Sequence, residues 1–240
     1  PTANEEDLVK YAFALFLNHD FAKSLEVANM GLKKNPRHAA FNRLAMYNNT
    51  DLKRFEEALK AADVFFNECD KADYSYLDYM YYGHLLEELK KYDEAVGQYE
   101  KAVELDPTKT DLYKNISSAY EQKNDYKKAI GAYHKYYSSL EKEKQTPDLQ
   151  FQLGRLYYGA GTQPDSLTIN AEERKQALMS ADSVFQVISE AAPDSYLGNF
   201  WRARANSALD PETTQGLAKP FYEEVAALLE SKNDPHYNSA

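Results

Sequence analysis

The feature that most constrains this chain is a self-similarity with a period of 34 residues. Residues 76–107 read YLDYMYYGHLLEELKKYDEAVGQYEKAVELDP, and residues 110–137 read TDLYKNISSAYEQKNDYKKAIGAYHKYY. Overlaid, Tyr79 meets Tyr113, Gly83 meets Ser117, Tyr92 meets Tyr126, Ala95 meets Ala129 and Tyr99 meets Tyr133, always 34 residues apart. A fixed period of this size marks one supersecondary unit used several times. Within each half of the period, apolar residues recur at i, i+3, i+4 and i+7, as on an amphipathic helix. The first half of 76–107 carries Tyr79, Tyr82, Leu86 and Leu89; the second carries Ala95, Val96, Tyr99, Ala102 and Val103. Such a helix pair cannot cover its own apolar faces, so neighbouring pairs must stack on it. Gly83 and Ala95 fall where the two helices cross, letting the backbones approach to about 8 Å.

The frame extends in both directions. Residues about 5–38 supply Leu8, Tyr11, Ala12, Leu15, Phe21, Ser24, Ala28, Gly31 and Pro36. Residues 39–73 supply Leu44, Ala45, Phe55, Ala58, Ala62 and Phe65, with one extra residue expected in the turn between the helices. The units 74–109 and 110–146 follow, then 147–195 and 196–231. Proline spacing locates the irregularities. Pro36 to Pro107 spans two periods plus three residues, placed around Lys71–Ser75. Pro107 to Pro193 spans two periods plus 18, most of it in an insertion at 159–175, GAGTQPDSLTINAEERK. There Gly159, Gly161 and Pro164 are expected to break the preceding helix. Residues Ala171–Ser180 read as an N-terminal extension of the next helix. Pro220 is tolerable only in a first turn, so the last helix should begin near Lys219. The expectation is one domain over 1–232, followed by a polar tail at 233–240.

Composition narrows the function classes. Lys and Arg number 28 against 38 Asp and Glu, a net charge of −10, which repels phosphate backbones and anionic membrane surfaces. Nucleic acid is therefore not an expected partner, and no apolar run is long enough to insert in a membrane. Nine Gly and nine Pro exclude collagen-like and low-complexity classes. The single Cys69 excludes an intramolecular disulfide. The five His lie in different repeats with no HExxH spacing, so no metal or other cofactor is expected. GAGT at 159–162 lacks the lysine of a phosphate loop, and no nucleophile elbow occurs. The chain is therefore not expected to be an enzyme. Two tripeptides, at Asn48 and Asn115, match a glycosylation acceptor, and neither is expected to be used. The sequence opens at Pro1 rather than Met, so any targeting segment is expected upstream; the compartment, cytoplasmic or periplasmic, stays open.

The order of aromatic, Leu-Gly or Leu-Ala, Tyr, turn, Ala, aromatic, small residue and Pro in 76–107 resembles the tetratricopeptide repeat family. The resemblance implies an all-α, right-handed superhelical solenoid of about six antiparallel helix pairs, helix A then helix B. It implies a protein-binding scaffold or adaptor that holds an extended peptide in a concave groove lined by helix A. The family's groove positions map onto Asn42, Met46 and Asn49 in the second repeat, and onto Leu77, Met80, His84 and Glu88 in the third. In the fourth they map onto Asp111, Lys114, Ser118 and Gln122, in the fifth onto Phe151, Arg155 and Tyr158, and in the sixth onto Phe200 and Arg204. Lys114, Arg155 and Arg204 make a modest basic line, which suits a peptide with acidic groups. One family subtype clamps C-terminal carboxylates with Lys and Asn; Ser118 replaces one of its asparagines here, so that clamp is incomplete.

The chain has 20 Tyr. Tyr92, Tyr99, Tyr126 and Tyr133 fall at packing positions, whereas Tyr76, Tyr81, Tyr137 and Tyr158 are candidate ligand contacts. In the first repeat Phe13, Phe16 and Leu17 face outwards, which implies either self-association there or further repeats upstream. Two alternative functions stay open at this level. One is a regulatory part of a longer enzyme; the other is an envelope-associated protein contacting glycan or assembly partners, with Trp201, Tyr158 and the insertion as its contact region.

Overall fold

A computed structural model describes residues 4–69, 73–164 and 169–232. The described residues form twelve α-helices and no β-strand. They are α1 (Glu5–Leu17), α2 (Phe21–Lys34), α3 (Ala39–Asp51), α4 (Phe55–Asp63), α5 (Tyr76–Glu88), α6 (Tyr92–Leu105), α7 (Leu112–Gln122), α8 (Tyr126–Ser139), α9 (Pro147–Thr162), α10 (Ala171–Ala191), α11 (Leu197–Leu209) and α12 (Lys219–Ser231). A π-helical turn, Val64–Glu68, continues α4, and a 3₁₀ turn, Lys142–Lys144, precedes α9. The chain forms two compact units, Pro1–Ala119 and Tyr120–Ala240, with the boundary inside α7. The expected irregularity at 71–72, the middle of the insertion (165–168) and the tail at 233–240 lie outside the described residues.

The period is visible in the backbone. Four helix A to helix B turns use one geometry: His19, Lys53, Lys90 and Asn124 have φ of 59°, 58°, 59° and 59°. The residue after each donates its N–H back across the turn: Asp20 to Leu15 O (2.9 Å), Arg54 to Asn49 O (2.8 Å), Lys91 to Leu86 O (2.8 Å) and Asp125 to Tyr120 O (3.0 Å). This is a Schellman closure that satisfies the orphan carbonyls of helix A. The turn of the second repeat is therefore as short as the others, and the extra residue expected there is absent. In each case the next helix opens on an aromatic: Phe21, Phe55, Tyr92 or Tyr126.

Packing follows the small-residue rule. In the first unit a Cβ on Gly83 would come 2.6 Å from Tyr99 Cε1, so the fully buried Tyr99 ring rests directly on the α5 backbone. In the second, a Cβ on Gly154 would come 2.7 Å from Phe185 Cε1. Ala95 and Ala129, overlaid by the period, are both fully buried. The first unit also runs an aromatic column across its helix A elements: Phe16 lies 5.4 Å from Tyr47, which stacks on Tyr81 at 4.1 Å.

One expectation on the insertion needs correction. Gly159 and Gly161 do not end the helix; α9 continues through Thr162. These glycines make room for neighbours, since a Cβ on Gly159 would lie 2.4 Å from the Tyr126 ring and one on Gly161 2.3 Å from Leu178 Cγ. α9 ends at Thr162, and α10 starts at Ala171, as the reading of 171–180 expects, behind a cap: Asn170 accepts from Glu173 N (2.9 Å) and Glu173 accepts from Asn170 N (2.9 Å). The last helix begins at Lys219, as Pro220 requires.

Candidate functional site

The odd-numbered helices are the helix A elements. In the first unit α3 packs against α1, α2, α4 and α5. Asn42 and Asn49 are buried and line a cavity of about 460 Å³ on the helix B side, with residues of α2 and α4, and Met46 is fully buried. This corrects the assignment of Asn42 and Met46 to an open groove. Asn42 caps the chain entering its helix, donating to Pro36 O (2.8 Å) and His38 O (3.2 Å). Phe16 is also buried, against Phe21, Tyr47 and Tyr81, so the outward apolar patch of the first repeat reduces to Phe13 and Leu17.

Beside α3 a carboxylate organises the helix A layer. Asp78, fully buried at the start of α5, accepts from Arg43 Nε (2.7 Å), Tyr47 Oη (2.6 Å), Ser75 N (2.7 Å) and Ser75 Oγ (2.9 Å). Arg43 also donates to the Asp73 carbonyl and to Asp78 Oδ2 (3.1 Å). Five donor contacts thus converge on the two oxygens of this buried carboxylate. Burial, reinforced by Asp78, pushes the Tyr47 hydroxyl far above its ordinary value, so it remains a donor.

Met80 and His84, two of the expected groove residues, line a cavity of about 300 Å³ together with Glu88, Thr50, Asp51 and Tyr81. Tyr81 Oη donates to Asp51 Oδ2 (3.0 Å). Burial raises the Asp51 carboxyl, with the Tyr81 bond opposing. Burial lowers the His84 imidazole, against the pull of Glu87 and Asp51. Tyr99 Oη donates to Glu87 Oε2 (2.7 Å) and lies 3.2 Å from His84 Nδ1. With the hydroxyl proton committed to Glu87, the neutral imidazole carries its proton on Nδ1 and donates to Tyr99. Ser118 Oγ donates to Glu87 Oε1 (3.0 Å), so this expected groove residue is already engaged inside its own unit. Lys114 is exposed.

In the second unit α9 and α11 are neighbours. Phe151, Arg155 and Tyr158 of α9 and Arg204 of α11 were all expected in the groove. The structure gathers Phe151, Tyr158 and Arg204 around Trp201. The indole lies edge-on to Phe151 (5.6 Å) and to Tyr158 (5.3 Å), and stacks on Phe185 at 5.4 Å. The Arg204 guanidinium carbon sits 4.6 Å from the Trp201 ring centre, 5.1 Å from Tyr158 and 6.0 Å from Phe200. Arg155, one turn before Tyr158 on the same face of α9, is exposed. The helical spacing of Phe200, Trp201 and Arg204 was the available signal for this cluster. Of the other candidate tyrosines, Tyr76 lies under Lys109 Nζ (4.8 Å), and Tyr137 Oη accepts from Gln150 (3.1 Å). Among the described residues no group of His, Cys, Asp and Glu could hold a metal, and no helix is long and apolar enough to cross a membrane.

The tetratricopeptide repeat family model matches residues 76–109. Among solved structures, the chain is similar to the C-terminal part of a TPR repeat-containing protein from Cytophaga hutchinsonii. That match has 28% identity and a TM-score of 0.67, covering 95% of this chain and 81% of the other. It is also similar to PilW, described as a widely conserved type IV pilus biogenesis factor, at 17% identity and a TM-score of 0.56, covering 99% of each chain. PilF of Pseudomonas aeruginosa gives 11% identity and a TM-score of 0.56, covering 98% and 95%. The last two likenesses carry the fold alone. No curated protein sequence matches the chain at a significant level. The repeat-length period, the family match at 76–109 and the paired helices lead to one conclusion: residues 76–109 are a tetratricopeptide repeat, and the chain has the all-α fold of TPR-repeat proteins.

Proposed function

We propose that the protein is a non-enzymatic interaction scaffold that binds an extended segment of a partner protein along its helix A faces. The observation that carries this reading is the cavity of about 300 Å³ beside α5, whose lining includes Met80, His84 and Glu88 from the expected groove positions. Its size suits one or two side chains of a peptide, and its lining mixes apolar side chains, Phe55 and Met80, with polar ones, Thr50, Asp51, Lys53 and Glu88. Tetratricopeptide-repeat folds serve in general as protein-binding scaffolds, which supports the same reading. The contact residues proposed after the corrections above are Met80, His84 and Lys114 in the first unit and, separately, Phe151, Arg155, Tyr158 and Arg204 in the second.

A displayed peptide library selected on the purified protein tests this, with amide hydrogen exchange to map the bound peptides. Selected peptides are expected to protect segments of α5, α9 or α11, and Met80→Trp, which fills the cavity, should weaken those that protect α5. Peptides that protect only helix B segments, or a library that yields no binder, would overturn the proposal.

A further inference from the structure

Arg202 and Arg204 stand two residues apart on α11 and so point to opposite sides of it. Arg202 packs over Phe221, 4.2 Å from its ring centre, and its Nε lies 3.0 Å from Asp182 Oδ1. Arg204 has the rings but no acid: Trp201, Tyr158 and Phe200 surround its guanidinium, and among the described residues no carboxylate pairs with it. Arg155 likewise has no carboxylate partner among the described residues. The chain carries ten more acidic than basic side chains, so counter-ions are abundant, yet this face leaves two guanidinium groups without one. A guanidinium stacked on aromatic rings still presents its N–H edge, a planar fork that matches a carboxylate. Stacking also holds the fork in place before a ligand arrives, which lowers the entropy cost of binding.

We infer that Arg204, seated on Trp201 and Tyr158 and assisted by Arg155, anchors the side-chain carboxylate of a glutamate or aspartate in a partner segment. An apolar neighbour of that acid packs on the half-buried rings of the same cluster. This inference rests on the helix A reading above and adds the chemistry of the residue recognised.

Trp201 is the single tryptophan of the chain, so its fluorescence reports this site directly. The probes are two pools of short, end-blocked peptides with apolar neighbours around a central residue, Glu in one pool and Gln in the other. A third pool keeps the central Gln and has a free C-terminus. The Glu pool should shift Trp201 fluorescence saturably, with the Gln pool about tenfold weaker, the scale of a hydrogen bond to a charged group. Arg204→Gln should bring the Glu pool down to the level of the Gln pool, and Arg204→Lys should fall between, as a point charge without the fork. Arg155→Gln, at an exposed position, gives a smaller loss and serves as the second variant should Arg204→Gln disturb α11. Equal binding of Glu and Gln pools, an Arg204→Gln affinity equal to the parent, or binding of the free C-terminus pool alone would each overturn the anchor. Amide exchange on the same mixtures separates the two levels. Helix A protection that ignores the acid sinks the anchor and leaves the scaffold reading standing; no helix A protection by any pool sinks both.

Discussion

Arg43 of α3 and Arg204 of α11, each on a helix A element of its own unit, are held in opposite ways. In the first unit Arg43 is bound to the buried Asp78, which also holds Tyr47 and Ser75. Around it Tyr81 is bound to Asp51, and Tyr99 and Ser118 to Glu87. In the second unit Arg204 lies on Trp201 and Tyr158 with no carboxylate partner among the described residues. A helix A arginine thus serves cohesion at Arg43, as it does at Arg202 with Asp182, and is left open at Arg204. A polar side chain already saturated by its own chain has little left to offer a partner. The difference therefore predicts where a substitution changes folding and where it changes recognition.

The largest effect is expected at Arg43. Arg43→Gln leaves the fully buried Asp78 without its cation, and should cost about 3 kcal/mol in urea unfolding. A cost under about 1 kcal/mol would mean that Asp78 is held by its neutral donors alone, and the contrast would weaken. Next come the ring contacts shared by both units. Gly83→Val against Tyr99 and Gly154→Val against Phe185 should each destabilise by about 1–3 kcal/mol in the same assay. Comparable losses would show that the cohesion difference lies in polar groups and not in packing. Arg204→Gln should cost no more than about 1 kcal/mol, the scale of a partly exposed cation–π contact. A loss as large as that at Arg43 would erase the distinction.

Gly97 and Gly131 stand at matching positions in α6 and α8 and meet nothing within 4 Å. Gly→Ala at either should stabilise by about 0.5–1 kcal/mol, read as a rise in melting temperature. The smallest effect is a pH response confined to the first unit. Burial holds His84 below its ordinary value of 6.5, so the folded state favours the neutral ring. The associated stability is complete above pH 6.5 and is lost as the pH falls through the lowered folded value. Amide protection factors in α5, taken relative to the intrinsic exchange rate at each pH, should fall on mild acidification in the parent and not in His84→Asn. Asp51, raised by burial from 3.8, acts in the opposite sense, its contribution to stability growing as the pH falls.

Much of the fold was legible because the period fixes neighbours at constant offsets. Gly83, Ala95 and Tyr99 could be read as packing positions from the repeat alone, though not that the Tyr99 ring is what rests on Gly83, and the start of α12 could be read from Pro220. The burial of Asn42 and Met46 was not legible, because it depends on α3 being packed against four other helices, which no single repeat reveals. The left-handed turn residues His19, Lys53, Lys90 and Asn124 carried no glycine to mark them. At Gly159 and Gly161 the glycines answer to Tyr126 and Leu178, partners distant in sequence, and so looked like helix breakers. Arg155, Tyr158 and Arg204 were legible as site candidates from the frame. The lack of a counter-ion at Arg204 was not, since it depends on which acids the fold carries elsewhere.

The contact between a bare backbone and a ring behaves as a lock with a notch and a key. Tyr99 fills the notch at Gly83, and Phe185 the one at Gly154. Repeats exchanged between proteins of this kind would have to travel with both halves. A graft that imports the ring opposite an alanine collides, and one that imports the notch opposite a small residue opens a void. The unit of modular transfer is therefore the whole helix pair, and a cut placed in the A–B turn would divide the lock.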